Sequence, residues 1–142
     1  MAFIALLGFS SSGCSKEAYG TPTATTFRYW GSVTDEAGNP IKGINIIMSG
    51  TILGMPNVQL KTESYMFNEN TSYFYTGIFS TDDTQITTID FVDVDGEENG
   101  GDFQSVTITP QDMVEERRFK DMAVNPNSNL IEYKADIKLK KK

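Results

Sequence analysis

The sequence predicts an all-β protein, an antiparallel β-sandwich of about seven strands with at most one short helix. Apolar residues recur at every second position over much of the chain, which is the period of a half-buried strand. The segments between these runs are rich in Gly, Asn, Asp and Pro, the residues that form turns. Short strands joined by such turns are typical of a sandwich, and we place it at residues 27–142.

The first two predicted strands flank a polar loop. Four residues share one face of the first strand: Phe27, Tyr29, Gly31 and Val33. The second strand, residues 44–49, places three residues on one face: Ile44, Ile46 and Met48. Because the loop at residues 34–40 has turn chemistry, we expect the two strands to pair as an antiparallel hairpin.

Four more strands are predicted, over residues 73–80, 86–94, 103–109 and 131–139. The last alternates most clearly, with five residues on its buried face: Ile131, Tyr133, Ala135, Ile137 and Leu139. Four residues are predicted to face solvent: Glu132, Lys134, Asp136 and Lys138. A short helix is predicted to begin at Thr109, with Pro110 and Asp112 in its first turn.

The composition excludes several classes of enzyme site within this chain. Its 142 residues include one Cys and no His, and its formal net charge is −7. A Ser-His-Asp triad, a Cys-His dyad and a His-based zinc site all need His, and one Cys forms neither an intrachain disulfide nor a C-x-x-C motif. The acidic balance argues against nucleic acid as a partner. We therefore expect a protein that is not an enzyme.

The N-terminal segment has the pattern of a secretion signal. Residues 1–9 are almost wholly apolar, and three Ser and one Gly then precede Cys14. As a helix this run rises about 14 Å, which is too short for a bilayer core of roughly 30 Å but suits a signal peptide. Small residues before a Cys resemble a bacterial lipoprotein start, although the usual Leu and the basic n-region are missing. The alternative is a frayed segment with an incidental Cys.

The lipoprotein interpretation divides the chain into three parts. Residues 1–13 are a signal peptide, residues 14–26 are a small, polar and flexible tether, and residues 27–142 are the folded domain. Acylation of Cys14 would anchor the protein in a membrane, because each buried methylene contributes about 0.8 kcal/mol. We therefore expect the cell envelope as its location, on the periplasmic or surface face of the outer membrane.

Residues 31–46 have the sequence GSVTDEAGNPIKGINI, in which Asp, Gly and Pro set a turn and a second Gly precedes the next strand. This pattern resembles the opening of a carboxypeptidase regulatory-like domain, a family with a transthyretin-like sandwich. The resemblance implies that Asp35, Gly38, Pro40 and Gly43 define the turn. A second turn usual in that family lacks its Asp here, so the middle of the chain departs from the pattern.

The lipoprotein start, this turn and the acidic segment DVDGEENGG at residues 93–101 occur together in one chain. In combination they resemble the radical-SAM-associated lipoproteins of gut Bacteroidota. The resemblance implies an envelope protein encoded near a radical SAM enzyme. It implies no known activity.

The acidic segment is a candidate calcium loop. Its pattern D-x-D-G-x-x-N-x-x-D offers four oxygen ligands: Asp93, Asp95, Asn99 and Asp102. Alternating oxygen side chains around a Gly suit a hard cation. However, Gly96 stands at the fourth rather than the sixth position of the motif, and Gln104 replaces the Glu at the twelfth. These departures favour the alternative, a hydrated acidic hairpin.

Five aromatic residues admit two interpretations: Trp30, Tyr65, Tyr73, Phe74 and Tyr75. Their rings could line a surface that stacks on sugars, or they could pack in the core of the sandwich. Packing in the core is the commoner use of such residues, and we favour it.

The sequence therefore predicts a non-catalytic, lipid-anchored module that binds or scaffolds at the membrane surface, with an envelope protein or a glycan as partner. The first alternative is a partner or substrate of a neighbouring radical SAM enzyme. The second is a small glycan hydrolase that uses the acidic loop, although nothing in the sequence sets two carboxylates across a cleft.

Overall fold

The computed structural model of the protein describes residues 25–120 and 129–142. These residues form eleven strands: β1 (Thr25–Asp35), β2 (Ile44–Ile52), β3 (Met55–Glu63), β4 (Tyr65–Asn68), β5 (Thr71–Tyr75), β6 (Phe79–Ser80), β7 (Gln85–Asp93), β8 (Val106–Ile108), β9 (Val114–Lys120), β10 (Asn129–Lys134) and β11 (Ile137–Leu139). The helical element among them is a single 3₁₀ turn, Pro110–Asp112, closed by the Asp112 carboxylate on the N–H of Thr109. The prediction of an all-β sandwich with at most one short helix is confirmed, although the described residues form eleven strands rather than about seven, and β10 and β11 pair with β1 in parallel.

Two sheets pack face to face. The first has the order β9-β10-β1-β5-β4, with β6 and β11 also paired to β1, and the second has the order β3-β2-β7-β8. Apolar side chains from both sheets fill the space between them, among them Val33, Ile44, Ile46, Met48, Phe74, Ile89, Phe91, Phe103 and Leu139. The faces predicted to be buried on the first two strands are buried, because their period of two matches the pleat.

β1 is the central strand of the first sheet. On one side β10 and then β11 run parallel to it, and on the other side β6 and then β5 run antiparallel. The remaining strand pairs of both sheets are antiparallel. β1 begins at Thr25, two residues before the predicted domain boundary, because Thr25 and Thr26 already pair with β10.

The loop after β1 forms a tight turn and then crosses between the sheets. The Asp35 carboxylate accepts hydrogen bonds from the backbone N–H groups of Ala37 (2.9 Å) and Asn39 (2.8 Å). A hydrogen bond from the Asn39 side chain lowers the pKa of the Asp35 carboxyl. Ile41 is buried after the turn, and the chain then enters the second sheet. The predicted hairpin is therefore wrong: burial of Ile41 takes β1 and β2 into different sheets.

Several other strands differ from their predicted bounds. The strand predicted at residues 73–80 is divided into β5 and β6, and the one at residues 131–139 is divided into β10 and β11. The strand predicted at residues 103–109 shortens to β8, while residues 86–94 correspond to β7. Three strands, β3, β4 and β9, have no regular apolar alternation, because most of their described side chains are exposed on both faces. The sequence does not predict these three strands, because the two-residue apolar period that marks a strand is missing from them.

The step from β10 to β11 passes directly over Gly31. The N–H of Ala135 donates to the carbonyl of Trp30 (3.0 Å), and the hydroxyl of Ser32 donates to the Asp136 carboxylate (2.7 Å). A Cβ atom at residue 31 would lie 1.7 Å from the carbonyl oxygen of Ala135. Backbone therefore occupies the space that any other side chain at this position would need.

We predict that Gly31→Ala lowers the free energy of unfolding by about 3 kcal/mol or more, because β10 and β11 must move away from β1. Urea denaturation measures this change. Gly77→Ala is the matched control, since its Cβ meets nothing within 4 Å and its φ is not in the left-handed region. An equal loss of stability in both variants would contradict the close approach of Ala135.

Candidate ligand-binding face

The face of the first sheet that points away from the core carries a row of aromatic and charged side chains. We call it the outer strip. From β9 to β4 its members are Arg117, Glu132, Lys134, Arg28, Trp30, Tyr73, Tyr75, Tyr65 and Phe67. The register between strands assembles it: Glu132 lies opposite both Arg117 and Arg28, and Trp30 lies opposite Tyr75.

The aromatic half of the outer strip is a continuous set of packed rings. Trp30 and Tyr75 stack with centroids 5.6 Å apart and planes 7° apart, and Tyr65 stacks on Tyr75 at 6.4 Å. The ring centroids of Tyr73 and Trp30 are 6.0 Å apart in an edge-on arrangement. Those of Tyr73 and Phe67 are 5.8 Å apart, with the ring planes tilted. Such pairs stabilise a sheet beyond the area that they bury. The rings therefore form one continuous surface across β1, β5 and β4.

The charged half of the strip lies over the same rings. The Nζ atom of Lys134 is 4.9 Å from the Trp30 centroid, and the guanidinium carbon of Arg117 is 5.7 Å from it. The guanidinium carbon of Arg28 lies 5.6 Å from the Tyr75 centroid. These are cation–π distances, so each cation is held against an aromatic face.

Glu132 fixes the two arginines from below. Its side chain is fully buried, although it lies on the outward face of β10. Its Oε2 accepts a hydrogen bond from Nε of Arg28 at 2.6 Å, and its Oε1 lies 2.5 Å from Nη2 of Arg117. A buried carboxylate needs such partners, because burial without them would cost several kcal/mol. The hydrogen bond orients the Arg28 guanidinium, and the Arg117 guanidinium is held by charge at a contact that lacks hydrogen-bond geometry.

Exposure is concentrated at the two ends of the outer strip. Phe67 is 67% exposed and Tyr65 is 43% exposed at the β4 end, and the Arg117 side chain is 56% exposed at the β9 end. Partial burial, with Tyr75 and Tyr73 nearby, raises the pKa of the Tyr65 hydroxyl. At neutral pH this hydroxyl is therefore a neutral hydrogen-bonding group. The strip thus offers open rings at one end and a cation at the other.

The structure corrects the preferred interpretation of the five aromatic residues. Phe74 packs in the core, as expected, but the other four lie on the outer strip: Trp30, Tyr65, Tyr73 and Tyr75. Successive side chains along β5 point to opposite faces of the sheet. Phe74 therefore points inward, while Tyr73 and Tyr75 on either side of it point outward.

Glu132 was predicted to face solvent and is instead buried. A carboxylate between apolar residues of a terminal strand gives no sign that two arginines will cover it. Those arginines come from β1 and β9, and the pairing of both strands with β10 brings them to Glu132.

The acidic loop uses its carboxylates for its own backbone and neighbours. Asp93 accepts hydrogen bonds from the N–H groups of Asp95 (3.1 Å) and Phe103 (3.0 Å). Asp95 accepts one from the Asn99 side chain, and Asp102 lies 3.3 Å from Nζ of Lys142. Within the described ranges, no three acidic or Cys side chains are grouped so that they could hold a metal ion. Calcium at this loop remains a prediction from the sequence.

The turn predicted to be defined by Asp35, Gly38, Pro40 and Gly43 packs against part of the acidic loop. Gly38 and Gly43 have φ angles of +90° and +80°, and Pro40 bridges to Thr34. A Cβ at Gly43 would lie 2.9 Å from Nδ2 of Asn99. Glycine at position 43 thus permits the loop to pack on the turn.

Cys14, the predicted signal peptide at residues 1–13 and nearly all of the predicted tether lie outside the described residues. Among residues 25–120 and 129–142, no helix is long and apolar enough to cross a bilayer. The proposed anchor therefore rests on the sequence pattern around Cys14.

Comparison with models of protein families, with curated proteins and with solved structures finds no match to this chain.

We predict that Glu132→Gln lowers the free energy of unfolding by roughly 2 kcal/mol, because the two charge-assisted contacts to the arginines weaken. The urea midpoint of unfolding measures the change. Glu115→Gln is the control, since Glu115 also pairs with an arginine, Arg118, but at an exposed position. Equal urea midpoints for the two variants would contradict the structural role given to Glu132.

Proposed function

We propose that the protein is a non-catalytic binding module of the cell envelope and that it binds glycans on the outer strip. The observation that carries the proposal is the continuous row of rings on the outward face of the first sheet. An outward row of rings has no role in the core between the sheets. Rings at a surface contact the apolar C–H faces of sugars, and tyrosine hydroxyls bond to sugar hydroxyls.

The size of the strip favours a narrow polymer over a folded protein. Five strands span four spacings of about 4.8 Å, so the strip is about 19 Å long. Outward neighbours on one strand are about 7 Å apart, which gives an area of about 130 Å². A stable protein complex buries about 800 Å² on each partner. A linear chain of sugars laid across the strands needs far less.

The ring geometry assigns different roles to the rings. Both faces of Trp30 are covered, by Tyr75 and by the cations, so this residue braces the strip. Phe67 and Tyr65 are the most exposed rings of the strip and would make the contacts with sugar faces. The binding contacts are therefore expected at the β4 end.

The chemistry of the strip supports binding rather than hydrolysis. Most glycosidases need two carboxylates on either side of the bond, one of them able to protonate the leaving group. The strip carries one carboxylate, Glu132, which is fully buried and ion-paired with two arginines. Such a group is placed to orient the arginines, not to transfer a proton to a ligand.

The pattern at Cys14 supports the envelope location, since acylation there would hold the domain at the membrane through the segment at residues 14–24. The strip would then face polymers of the envelope or its surroundings. Association with a radical SAM enzyme remains a prediction from the resemblance and adds nothing to the binding mechanism.

We predict that Phe67→Ala and Tyr65→Ala each weaken glycan binding about tenfold or more, because each removes an exposed ring. Retention on a panel of immobilised polysaccharides, compared by affinity electrophoresis, measures this. Ile78→Ala is the control, since Ile78 is 54% exposed and lies off the strip. If the wild-type protein is retained by no polysaccharide, the proposal fails.

We predict that the protein made in a bacterial host with lipoprotein processing incorporates a palmitate analogue, and that Cys14→Ser abolishes the labelling because the acceptor thiol is gone. Ser10→Ala is the control and should keep the label. A labelled Cys14→Ser variant, or an unlabelled wild-type protein in the membrane fraction, would refute the anchor.

A further inference from the structure

We infer that the glycans bound by the outer strip are acidic, with sugar carboxylates paired to Arg117 and Lys134. This inference rests on the proposed function. It adds the chemical class of the ligand, which the row of rings by itself does not determine.

The charge on the strip is opposite to that of the chain. The strip carries three cations, Arg28, Arg117 and Lys134, and one carboxylate, Glu132. The exposed Asp136 at its border pairs with Lys134, so these five groups sum to +1 on a chain whose net charge is −7. The strip is therefore a local positive surface on an acidic protein. Such a surface attracts anionic ligands, and the rest of the molecule repels them.

Arg117 is the cation best placed to meet a ligand. One of its terminal nitrogens, Nη2, binds Glu132, and its side chain is still 56% exposed. A guanidinium group has five N–H donors in a planar fork that matches a carboxylate. Because Glu132 and the Trp30 ring already hold Arg117 in position, a ligand would not have to order a flexible side chain.

Lys134 adds a second positive charge beside Arg117. Its Nζ atom lies over the Trp30 ring, and its nearest carboxylate, Asp136, is 3.8 Å away and 61% exposed. An exposed pair at that distance is weak, so it would yield to a better placed ligand carboxylate. Both cations contact one indole ring, so Trp30 holds them side by side at the β9 end of the strip.

The distance between the two ends of the strip sets the length of the ligand. Exposed rings lie on β4 and Arg117 lies on β9, about 19 Å away across the sheet. A ligand that meets both ends is an extended polymer with apolar C–H faces and carboxylates. A polysaccharide of uronic acids has both features along one chain.

The experiment compares one polymer with and without its charge. Polygalacturonate and its methyl ester share sugar and linkage, and hyaluronan and alginate extend the acidic set. We expect wild-type protein to bind the acidic polymers about tenfold more tightly than the ester, and added salt to reduce this difference. We expect Arg117→Gln to lose about tenfold in affinity for the acidic polymers and almost nothing for the ester.

Arg118→Gln is the matched control for Arg117→Gln. Arg118 is the next residue on β9, its side chain is 54% exposed, and it pairs with Glu115 instead of Glu132. Lys134→Gln against Lys138→Gln gives a second, independent pair. Circular dichroism and urea unfolding of each variant show whether it remains folded.

The outcomes separate the two proposals. Equal binding of acidic polymer and ester, or equal effects of the Arg117 and Arg118 variants, overturns the acidic ligand and leaves glycan binding standing. No retention on any polysaccharide overturns both proposals, and binding to phosphatidylglycerol vesicles that Arg117→Gln weakens would then identify the strip as a lipid surface. Tighter binding of the acidic polymers that depends on Arg117 and Lys134 supports the inference.

Discussion

β1 lies at the centre of the first sheet, and its two edges and two faces set the arrangement of the elements around it. Four strands pair with its two edges. The side chains of these strands therefore surround those of β1 on both faces of the sheet. One face, with Phe27, Tyr29 and Val33, packs in the core. The other face, with Arg28 and Trp30, supplies the middle of the outer strip. The same alternation therefore builds both the core and the proposed binding surface.

Burial of Glu132 carries a desolvation cost, and what it provides in return is a defined position for two arginine side chains. A buried ion pair adds little stability relative to apolar residues of similar volume, because desolvation offsets most of the attraction, although breaking the pair is costly. It does restrict both guanidinium groups to defined positions over Trp30 and Tyr75. A surface that binds a weakly hydrophobic, charged polymer benefits from such order, since little conformational entropy is lost when the ligand arrives.

The acidic loop shows why a concentration of like charges is a poor indicator of a site. Its carboxylates accept hydrogen bonds from nearby backbone N–H groups and pair with a lysine, which are the ordinary uses of such residues in turns. The outer strip has fewer charges, but its members come from five strands and meet at one surface. Convergence from separate elements, rather than local composition, distinguishes the candidate site.

The sequence by itself determined the all-β class, the buried faces of β1 and β2 and the short 3₁₀ turn, because the two-residue period and turn residues act locally. Tertiary structure alone decided which strands pair. Glu132 and Arg28 are 104 residues apart, and no local signal joins them. The alternation of apolar and polar residues predicts only which side chains share one face of a sheet. The neighbouring strands decide whether that side holds water, an ion pair or a row of rings.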